Sequence, residues 1–402
     1  MRDPSRVVVS GPLSVFLSGF REDLARRGYT PSAAAKQLQL MAHLSRWMAA
    51  RGLEPVALRR REIEGFVSER RASHARLASA RGVEVLLGYL RGCGAVPSAG
   101  SRDAPTPAGA LLERYADYLL FRRGLSRETV RGYCNTARAF LAEREDACGE
   151  LALEQLDSAA INEYLLRASA RVSVCSAKAI VTGLRSLLRF LQLEGLLDRD
   201  LAVAVPSVAK WRLASLVKAL DASSVARLLD SCDRQTAVGR RDFAILLLLS
   251  RLGLRIGEVA ALRLEDLDWR AGEIVVRGKG SRGERLPLPV DVGEAIVGWL
   301  RDGRPACEGR FVFTRARAPY QGLHPSSLNG VVHRACRRAG LPEVGPHRLR
   351  HTAATQMLRA GASLREVGQV LRHRDSEVTS IYAKVDRLAL AAVIRPWPGA
   401  AA

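Results

Sequence analysis

The sequence is short of lysine and has no closely paired cysteines. Only six of its 62 basic residues are lysine, so arginine is the default cation. The seven cysteines are scattered, odd in number and include no Cys-x-x-Cys pair. This argues against a disulfide framework and against a zinc site built on such pairs. The thiols are typical of a reduced, cytoplasmic protein.

Long hydrophobic runs are also missing. The longest, residues 243–249, is far below the roughly 20 residues that a membrane-spanning helix needs. An apolar stretch over residues 7–20 is interrupted by Gly11 and Pro12, and no small-residue cleavage site of a signal peptide follows it. We therefore expect a soluble, cytoplasmic protein with no membrane partner.

Positive charge is abundant. The 402 residues carry 62 Lys and Arg against 41 Asp and Glu, a formal net charge of +21, with a pI near 10.6. Side chains that neutralise phosphates release counterions, so a polyanion is the expected partner. Nucleic acid is the first expectation and an anionic membrane surface the second. The excess lies at the two ends, +8 in residues 1–100 and +13 in residues 201–402.

The length predicts two or three domains, at roughly 100 to 200 residues each. Residues 98–108 are rich in Pro, Ser, Ala and Gly, which predicts a linker, and residues 201–222 form a second connector. The predicted domains are therefore residues 1–97, 109–200 and 223–402.

The first two domains share a local pattern. In each, a helix is predicted to end at a glycine, Gly28 or Gly124, and a second helix to begin after a capping residue, Thr30 or Ser126. This favours a duplicated helical unit. The alternative is a chance likeness between two helical bundles.

Helical periodicity dominates the third domain, with one exception. Residues 272–277 and 284–289 have the pattern of two short strands, and the glycine-rich residues 278–283 between them predict a turn. The domain is therefore predicted to be helical with one small sheet. Lys279 lies in the turn.

Other polar groups of this domain are candidates for chemistry. Arg255 lies between two predicted helix ends. Pro346 predicts a helix start that places His347 and Arg350 on one face. Tyr382 follows nine residues after His373, far enough for a loop and one helical turn.

Two other kinds of site are disfavoured. His347 and His351 have the spacing of a metal pair, but Arg348 occupies the place of Glu in H-E-x-x-H and Arg350 would repel a cation. In the glycine-rich turn, Gly280 takes the place of the Ser or Thr of a phosphate loop. Neither a metal ion nor a nucleotide cofactor is expected.

In this order, the groups resemble the tyrosine recombinase (phage integrase) family over about residues 110–385. Residues 254–258, Leu-Arg-Ile-Gly-Glu, are similar to the family's first arginine box, and residues 278–280 to its hairpin lysine. Residues 347–355 match the H-x-L-R-H-T-x-A-T box at every position, and His373 and Tyr382 have the family's spacing.

The resemblance implies a mainly α fold. Residues 109–200 would form a helical SAM-like DNA-binding domain. Residues 1–97 lie outside the family's two-domain plan, and the repeat alone predicts that they form an extra helical domain, a duplicate of the SAM-like unit. Residues 223–402 would form a mixed α+β catalytic domain with a small antiparallel sheet. The DNA-binding and catalytic domains would close around duplex DNA as a clamp.

The resemblance also implies a role for each candidate residue. Tyr382 would attack the phosphodiester, giving a 3′-phosphotyrosyl link and a free 5′-hydroxyl. Arg255 and Arg350 would donate paired hydrogen bonds to the phosphate oxygens and stabilise the added negative charge.

The remaining residues would transfer protons or hydrogen-bond to the phosphate. His347 would take the tyrosine proton and His373 would donate a hydrogen bond to the phosphate. Lys279 would protonate the leaving 5′-oxygen, which arginine does poorly. No ATP, metal or other cofactor would then be needed.

The sequence departs from the family pattern before the tyrosine. Arg372 stands where the family usually has glycine, Val378 replaces the first of two threonines, and Ser380 follows Thr379. None of these changes removes a predicted catalytic group. We expect Arg372 either to alter the turn or to add a phosphate contact.

The predicted function is site-specific DNA recombination, in integration, transposition or resolution of DNA. The predicted partners are double-stranded recombination sites and three further copies of the chain in a tetramer, with sister recombinases or accessory proteins as further candidates. The apolar tail, residues 388–394, would dock on a neighbouring protomer or pack in cis. The alternatives are a type IB topoisomerase and a non-catalytic DNA-binding protein of the same fold.

Overall fold

The computed structural model describes residues 4–73, 82–97, 106–146, 150–154, 156–170, 172–207, 219–278, 283–372, 379 and 381–383. Over these residues the chain is mainly helical, with fifteen α-helices and one three-stranded sheet, which confirms the predicted fold class. Contacts divide the chain into two units. Unit 1 takes the described parts of residues 1–55, 75–93 and 213–402, and unit 2 those of residues 56–74 and 94–212. The domain boundaries expected from the sequence remain a prediction.

The helices are numbered in chain order. They are α1 (Leu17–Arg26), α2 (Pro31–Ala49), α3 (Arg60–Ser73), α4 (Glu84–Gly92), α5 (Pro107–Asp117), α6 (Arg127–Ala142), α7 (Ser158–Ser169), α8 (Val174–Leu193), α9 (Ala222–Asp230), α10 (Ala237–Arg251), α11 (Ile256–Ala261), α12 (Val290–Asp302), α13 (Pro325–Arg338), α14 (Pro346–Arg359) and α15 (Leu364–Val370). No helix among the described residues is both long and apolar enough to cross a membrane.

Unit 2 is built around α5, α6, α7 and α8. The rings of Tyr115 on α5 and Phe190 on α8 lie 5.1 Å apart in a core from which solvent is nearly excluded. Helix α6 begins where the sequence predicts, because the Ser126 hydroxyl accepts a hydrogen bond from the Thr129 backbone N–H at 3.3 Å.

The N-terminal part of unit 1 contains α1, α2 and α4. Thr30 caps α2 as predicted, its hydroxyl accepting from the Ala33 backbone N–H at 3.4 Å. The rings of Phe20 on α1 and Tyr89 on α4 lie 5.1 Å apart. These contacts give the helices a small core of their own.

The C-terminal part of unit 1 packs around α10, whose apolar residues 244–249 are buried against α12 and α14. Beside it lies an antiparallel sheet of strands β1 (Leu267–Asp268), β2 (Glu273–Arg277) and β3 (Gly283–Pro287). Strands β2 and β3 are the predicted hairpin, and they pair in register with Ile274 opposite Leu286. The hairpin fixes the ends of the turn that contains Lys279.

The predicted start and end of α14, which carries His347 and Arg350, and the predicted start of α15 match the structure. Helix α14 begins with Pro346 and ends at Arg359, before Gly361 in a left-handed conformation. Ser363 and Glu366 then form the predicted capping box of α15. After α15, Leu371 and Tyr382 are buried in one cluster with Ala354 and Leu358 of α14.

Candidate active site

Arg255 is held at the start of a short helix by an acidic partner. It is the residue before α11, and its backbone N–H and its Nη1 each donate to the Glu258 carboxylate at 2.8 Å. The side chain of Glu258 is 5% exposed and that of Arg255 is 43% exposed. One side of the Arg255 guanidinium is thus fixed from within while the rest faces solvent.

Glu258 remains a carboxylate in this position. Burial raises its pKa, but the backbone hydrogen bond from Arg255 and the positive charge of Arg372 outweigh burial and hold the pKa below its ordinary value. A negative charge therefore lies under the two arginines at working pH.

Arg350 joins three segments of unit 1. It projects from α14, is 2% exposed, and donates from Nη1 to the Gly253 carbonyl at 2.5 Å and from Nη2 to the Leu371 carbonyl. Burial, followed by the nearby charges of Arg255 and Arg372, lowers its pKa to about 10. The side chain is still charged at neutral pH, so it brings a buried positive charge to the junction of α10, α14 and α15.

Tyr382 lies in a small apolar cluster against α14 and α15. It is 1% exposed and packs with Ala354, Leu358, Val367 and Leu371. Burial raises its pKa to about 12, against the opposing effect of Arg350. The phenol therefore carries its proton at neutral pH.

The phenol of Tyr382 meets His351. Its oxygen lies 2.8 Å from His351 Nδ1. The ring centroids of His347 and His351 are 5.0 Å apart on successive turns of α14. Burial, His347 and Arg350 lower the pKa of His351 to about 4. A neutral imidazole faces a protonated phenol, so Tyr382 is the donor and Nδ1 the acceptor.

His347 faces the two catalytic arginine candidates. Desolvation, then the positive charges of Arg350 and Arg255, lower its pKa below the ordinary value. The four predicted residues lie around one site: the His347 ring is 5.0 Å from the ring of His351, which bonds Tyr382, and Arg350 donates to the Gly253 carbonyl, two residues before Arg255. A neutral His347 at working pH is suited to accept a proton.

Comparison with known proteins identifies the family of this chain. Residues 218–388 match the model of the phage integrase family, and residues 112–195 match the N-terminal SAM-like domain of phage integrases. A Sinorhizobium fredii (strain NBRC 101917 / NGR234) protein named as integrase/recombinase y4rA is 40% identical over 395 residues, which cover 97% of this chain and 96% of that protein. The chain belongs to the phage integrase family.

One further relative and one solved structure are similar to this chain. Tyrosine recombinase XerD of Listeria monocytogenes serotype 4b (strain F2365) is 30% identical over 296 residues, 71% of this chain and 98% of XerD. The crystal structure of XerH site-specific recombinase bound to palindromic difH, a post-cleavage complex, has a TM-score of 0.57 at 19% identity and covers 73% of this chain and 98% of XerH. The XerH likeness shows a common fold.

Two of the six residues expected from the phage integrase pattern lie outside the described residues. These are Lys279, in the turn between β2 and β3, and His373, directly after Arg372. Their placement in the site remains a prediction, as does the docking of the tail, residues 388–394. The described residues include no group of three or more His, Cys, Asp or Glu side chains arranged to hold a metal ion.

The sequence predicts no hydrogen-bonding role for two residues of this site, His351 and Glu258, although both lie in the matched family boxes. For Arg372 it predicts either an altered turn or a phosphate contact. Arg372 has φ of +55° and donates from Nη2 to Glu258 and from Nη1 to the Val370 carbonyl, both at 2.8 Å. The left-handed backbone is one that glycine adopts readily, so it agrees with the family's glycine at this position.

Proposed function

We propose that this protein is a site-specific DNA recombinase in which Tyr382 forms the covalent link to DNA. The observation that carries the proposal is the set of contacts around Tyr382: its oxygen lies 2.8 Å from His351 Nδ1, the rings of His351 and His347 are 5.0 Å apart, and Leu371, packed in the same cluster as Tyr382, accepts a hydrogen bond from Arg350. A phenol ester of phosphate conserves the energy of the broken bond, so rejoining needs no ATP. The same site therefore serves cleavage and rejoining.

In the proposed cleavage step one bond to phosphorus forms, another breaks, and two protons are transferred. The Tyr382 oxygen attacks the phosphorus, the bond from phosphorus to the 5′-oxygen breaks, and the DNA 3′-phosphate becomes joined to the tyrosine. The phenol proton goes to His347, and Lys279 gives a proton to the leaving 5′-oxygen. An incoming 5′-hydroxyl reverses these transfers and rejoins a strand.

The proposed role of the arginines follows from charge. The transition state has extra negative charge on the nonbridging oxygens, and fixed cations that need no rearrangement stabilise it. Arg350 is buried and pinned, and Arg255 is fixed at one edge by Glu258. We assign His373 a further hydrogen bond to the same oxygens on the family pattern.

The proposed partner is double-stranded DNA carrying two recombination sites. The net charge of +21 supports a polyanionic partner, and XerH was solved on its difH substrate. A lambda integrase tetramer bound to a Holliday junction has the same fold, with a TM-score of 0.52 at 18% identity. We propose that this chain also acts as a tetramer, in the cytoplasm, with sister recombinases or accessory proteins as further partners. In this proposal residues 109–200 bind DNA and residues 223–402 catalyse.

A covalent trapping experiment tests the proposed function and finds the DNA site. The protein is incubated with nicked duplexes, made from random sequence and from the DNA that flanks its gene. The nick lets a short 5′-hydroxyl fragment leave and traps the adduct. We expect a DNA adduct that survives denaturant and is abolished by Tyr382→Phe; the absence of any adduct with the wild type would reject the proposal.

Recombination is distinguished from topoisomerase action with the recovered site. We expect exchange of flanking DNA between two intact duplexes to need the site on both of them. Efficient relaxation of supercoiled DNA that lacks the site would instead favour a type IB topoisomerase. The names of the relatives, integrase/recombinase and tyrosine recombinase, support the first outcome.

A further inference from the structure

A buried carboxylate is shared by two arginines at the edge of the proposed site. Glu258 Oε2 accepts from the Arg255 backbone N–H and from Arg372 Nη2, each at 2.8 Å, while Oε1 accepts from Arg255 Nη1 at 2.8 Å. The side chains of Glu258 and Arg372 are 5% and 4% exposed. Arg372 and Glu258 are 114 positions apart in the chain, so this ion pair joins the turn after α15 to the start of α11.

The backbone at Arg372 is unfavourable for an arginine. Among the described residues it is the one non-glycine residue with positive φ, a conformation in which a Cβ crowds the following carbonyl. Glycine would take this conformation at no such cost. The side chain must therefore contribute something that offsets the cost of its backbone.

Charge balance indicates what that contribution is. With Arg372 absent, Glu258 would have Arg255 as its close cationic partner, and the two charges would cancel. With Arg372 present, the three side chains carry one net positive charge, and the exposed part of Arg255 keeps its attraction for an anion. The nearby Arg350, whose pKa both arginines lower, adds a further positive charge.

We propose that Arg372 is a positioning residue that shares Glu258 with Arg255 and so leaves Arg255 with charge to bind the scissile phosphate. The inference rests on the proposed function. Arg372 acts on the phosphate through Glu258 and Arg255, because its side chain is 4% exposed and its two terminal nitrogens donate to Glu258 and to the Val370 carbonyl. It also ties Arg255 to the turn that precedes His373.

Single-turnover formation of the tyrosyl adduct on the recovered nicked duplex tests the role of Arg372. We expect Arg372→Gly to slow adduct formation about tenfold, with DNA affinity within about twofold of wild type. Arg372→Lys, which keeps the charge, should stay within about threefold. The control is Arg365→Ala, which removes one exposed positive charge from α15 and should leave the rate unchanged.

A second variant separates charge sharing from a purely structural role. If Glu258 cancels the charge of Arg255 when Arg372 is absent, removing the Glu258 charge should restore part of the activity. The double variant Arg372→Gly with Glu258→Gln should therefore form the adduct about threefold faster than Arg372→Gly alone. A wild-type rate in Arg372→Gly, an equally slow Arg372→Lys, or no recovery in the double variant would each overturn the inference. Glycine suits this backbone, so misfolding is not expected, and thermal unfolding checks it.

The ion pair between Arg372 and Glu258 can also be tested without DNA. A negative result for the ion pair is then distinct from a negative result for the proposed function. The groups that face Glu258 are Arg255 from α11, Arg372 from the turn after α15 and Arg350 from α14. Arg372→Gly should raise the pKa of Glu258, so its folded state should lose less stability than wild type as the pH falls below about 5 and passes the ordinary glutamate pKa of 4.5. Identical acid profiles for the two proteins would overturn the ion pair itself, even if the wild type forms no adduct.

Discussion

The phenolic oxygen of Tyr382 lies 2.8 Å from Nδ1 of His351, a residue for which the sequence pattern predicts no contact with the tyrosine. With a pKa of about 12 for the phenol and about 4 for the imidazole, the proton stays on Tyr382. His351 therefore orients the phenol and is a poor base for it. This leaves removal of the proton to another group once DNA is bound, which is the role proposed for His347.

The hydrogen bond between His351 and Tyr382 should appear as a coupling in stability. A double-mutant cycle of His351→Ala and Tyr382→Phe should give an interaction free energy of about 1 kcal/mol in urea unfolding. The matched cycle with His347→Ala, one turn away on α14, should give a coupling near zero. Equal interaction free energies in the two cycles would mean that the hydrogen bond between His351 and Tyr382 makes no specific contribution to stability.

The depressed pKa of His351 predicts loss of stability in acid. A histidine whose folded pKa lies below its unfolded value binds fewer protons in the folded state, so stability is full above about pH 6.5 and falls as the pH drops towards 4. Allowing for partial exposure of the ring, the free energy of unfolding should fall by about 1–2 kcal/mol more in wild type than in His351→Gln between pH 7 and pH 4.5. Urea unfolding at the two pH values measures this, and parallel losses would refute it.

Gly253 should be more sensitive to an added side chain than Gly272. Its φ is +58°, and an added Cβ would lie 2.7 Å from Leu371 Cδ2, whereas Gly272, with φ of +63°, has nothing within 4 Å of an added Cβ. Gly272→Ala should cost about 1–2 kcal/mol of unfolding free energy from the backbone alone. Gly253→Ala should cost about 1 kcal/mol more from crowding beside Leu371, and it should also slow adduct formation. If the two variants are equally stable, the packing at Gly253 is looser than described.

Lys279 should matter for chemistry and little for affinity. Lys279→Arg keeps the charge but is a poor proton donor, so adduct formation should slow about a hundredfold while DNA affinity stays within about twofold. A substrate whose leaving 5′-oxygen is replaced by sulfur needs no such proton and should restore the rate. Cleavage of the ordinary duplex at the wild-type rate would show that Lys279 is not the general acid.

Local signals in the sequence predicted much of the local structure. Pro346, the capping residues Thr30 and Ser126, and the glycine-rich hairpin turn act within a few residues, so their pattern specifies where α14, α2, α6 and the β2–β3 hairpin begin. Strand β1 was missed because its two residues, Leu267 and Asp268, are too few to show alternation.

The contacts within the site could be identified only from the three-dimensional structure. His351 and Tyr382 are 31 positions apart, and Glu258 and Arg372 are 114 apart, so no short pattern could pair them. The family resemblance supplied residue roles, but the glycine normally found at position 372 gave no hint of an ion pair. That pairing is particular to the arginine in this chain.

The two arginines of the site differ in what their loss would remove. Arg350 pins Gly253 and Leu371 from a fully buried position, so a chain without it would lose architecture and reactivity together. Arg255, with much of its side chain in solvent, can be replaced with far less damage to the interior. In a copy of this protein that no longer needs to cleave DNA, we therefore expect Arg350 to be kept for its role in folding and Arg255 to be the first of the two to be replaced.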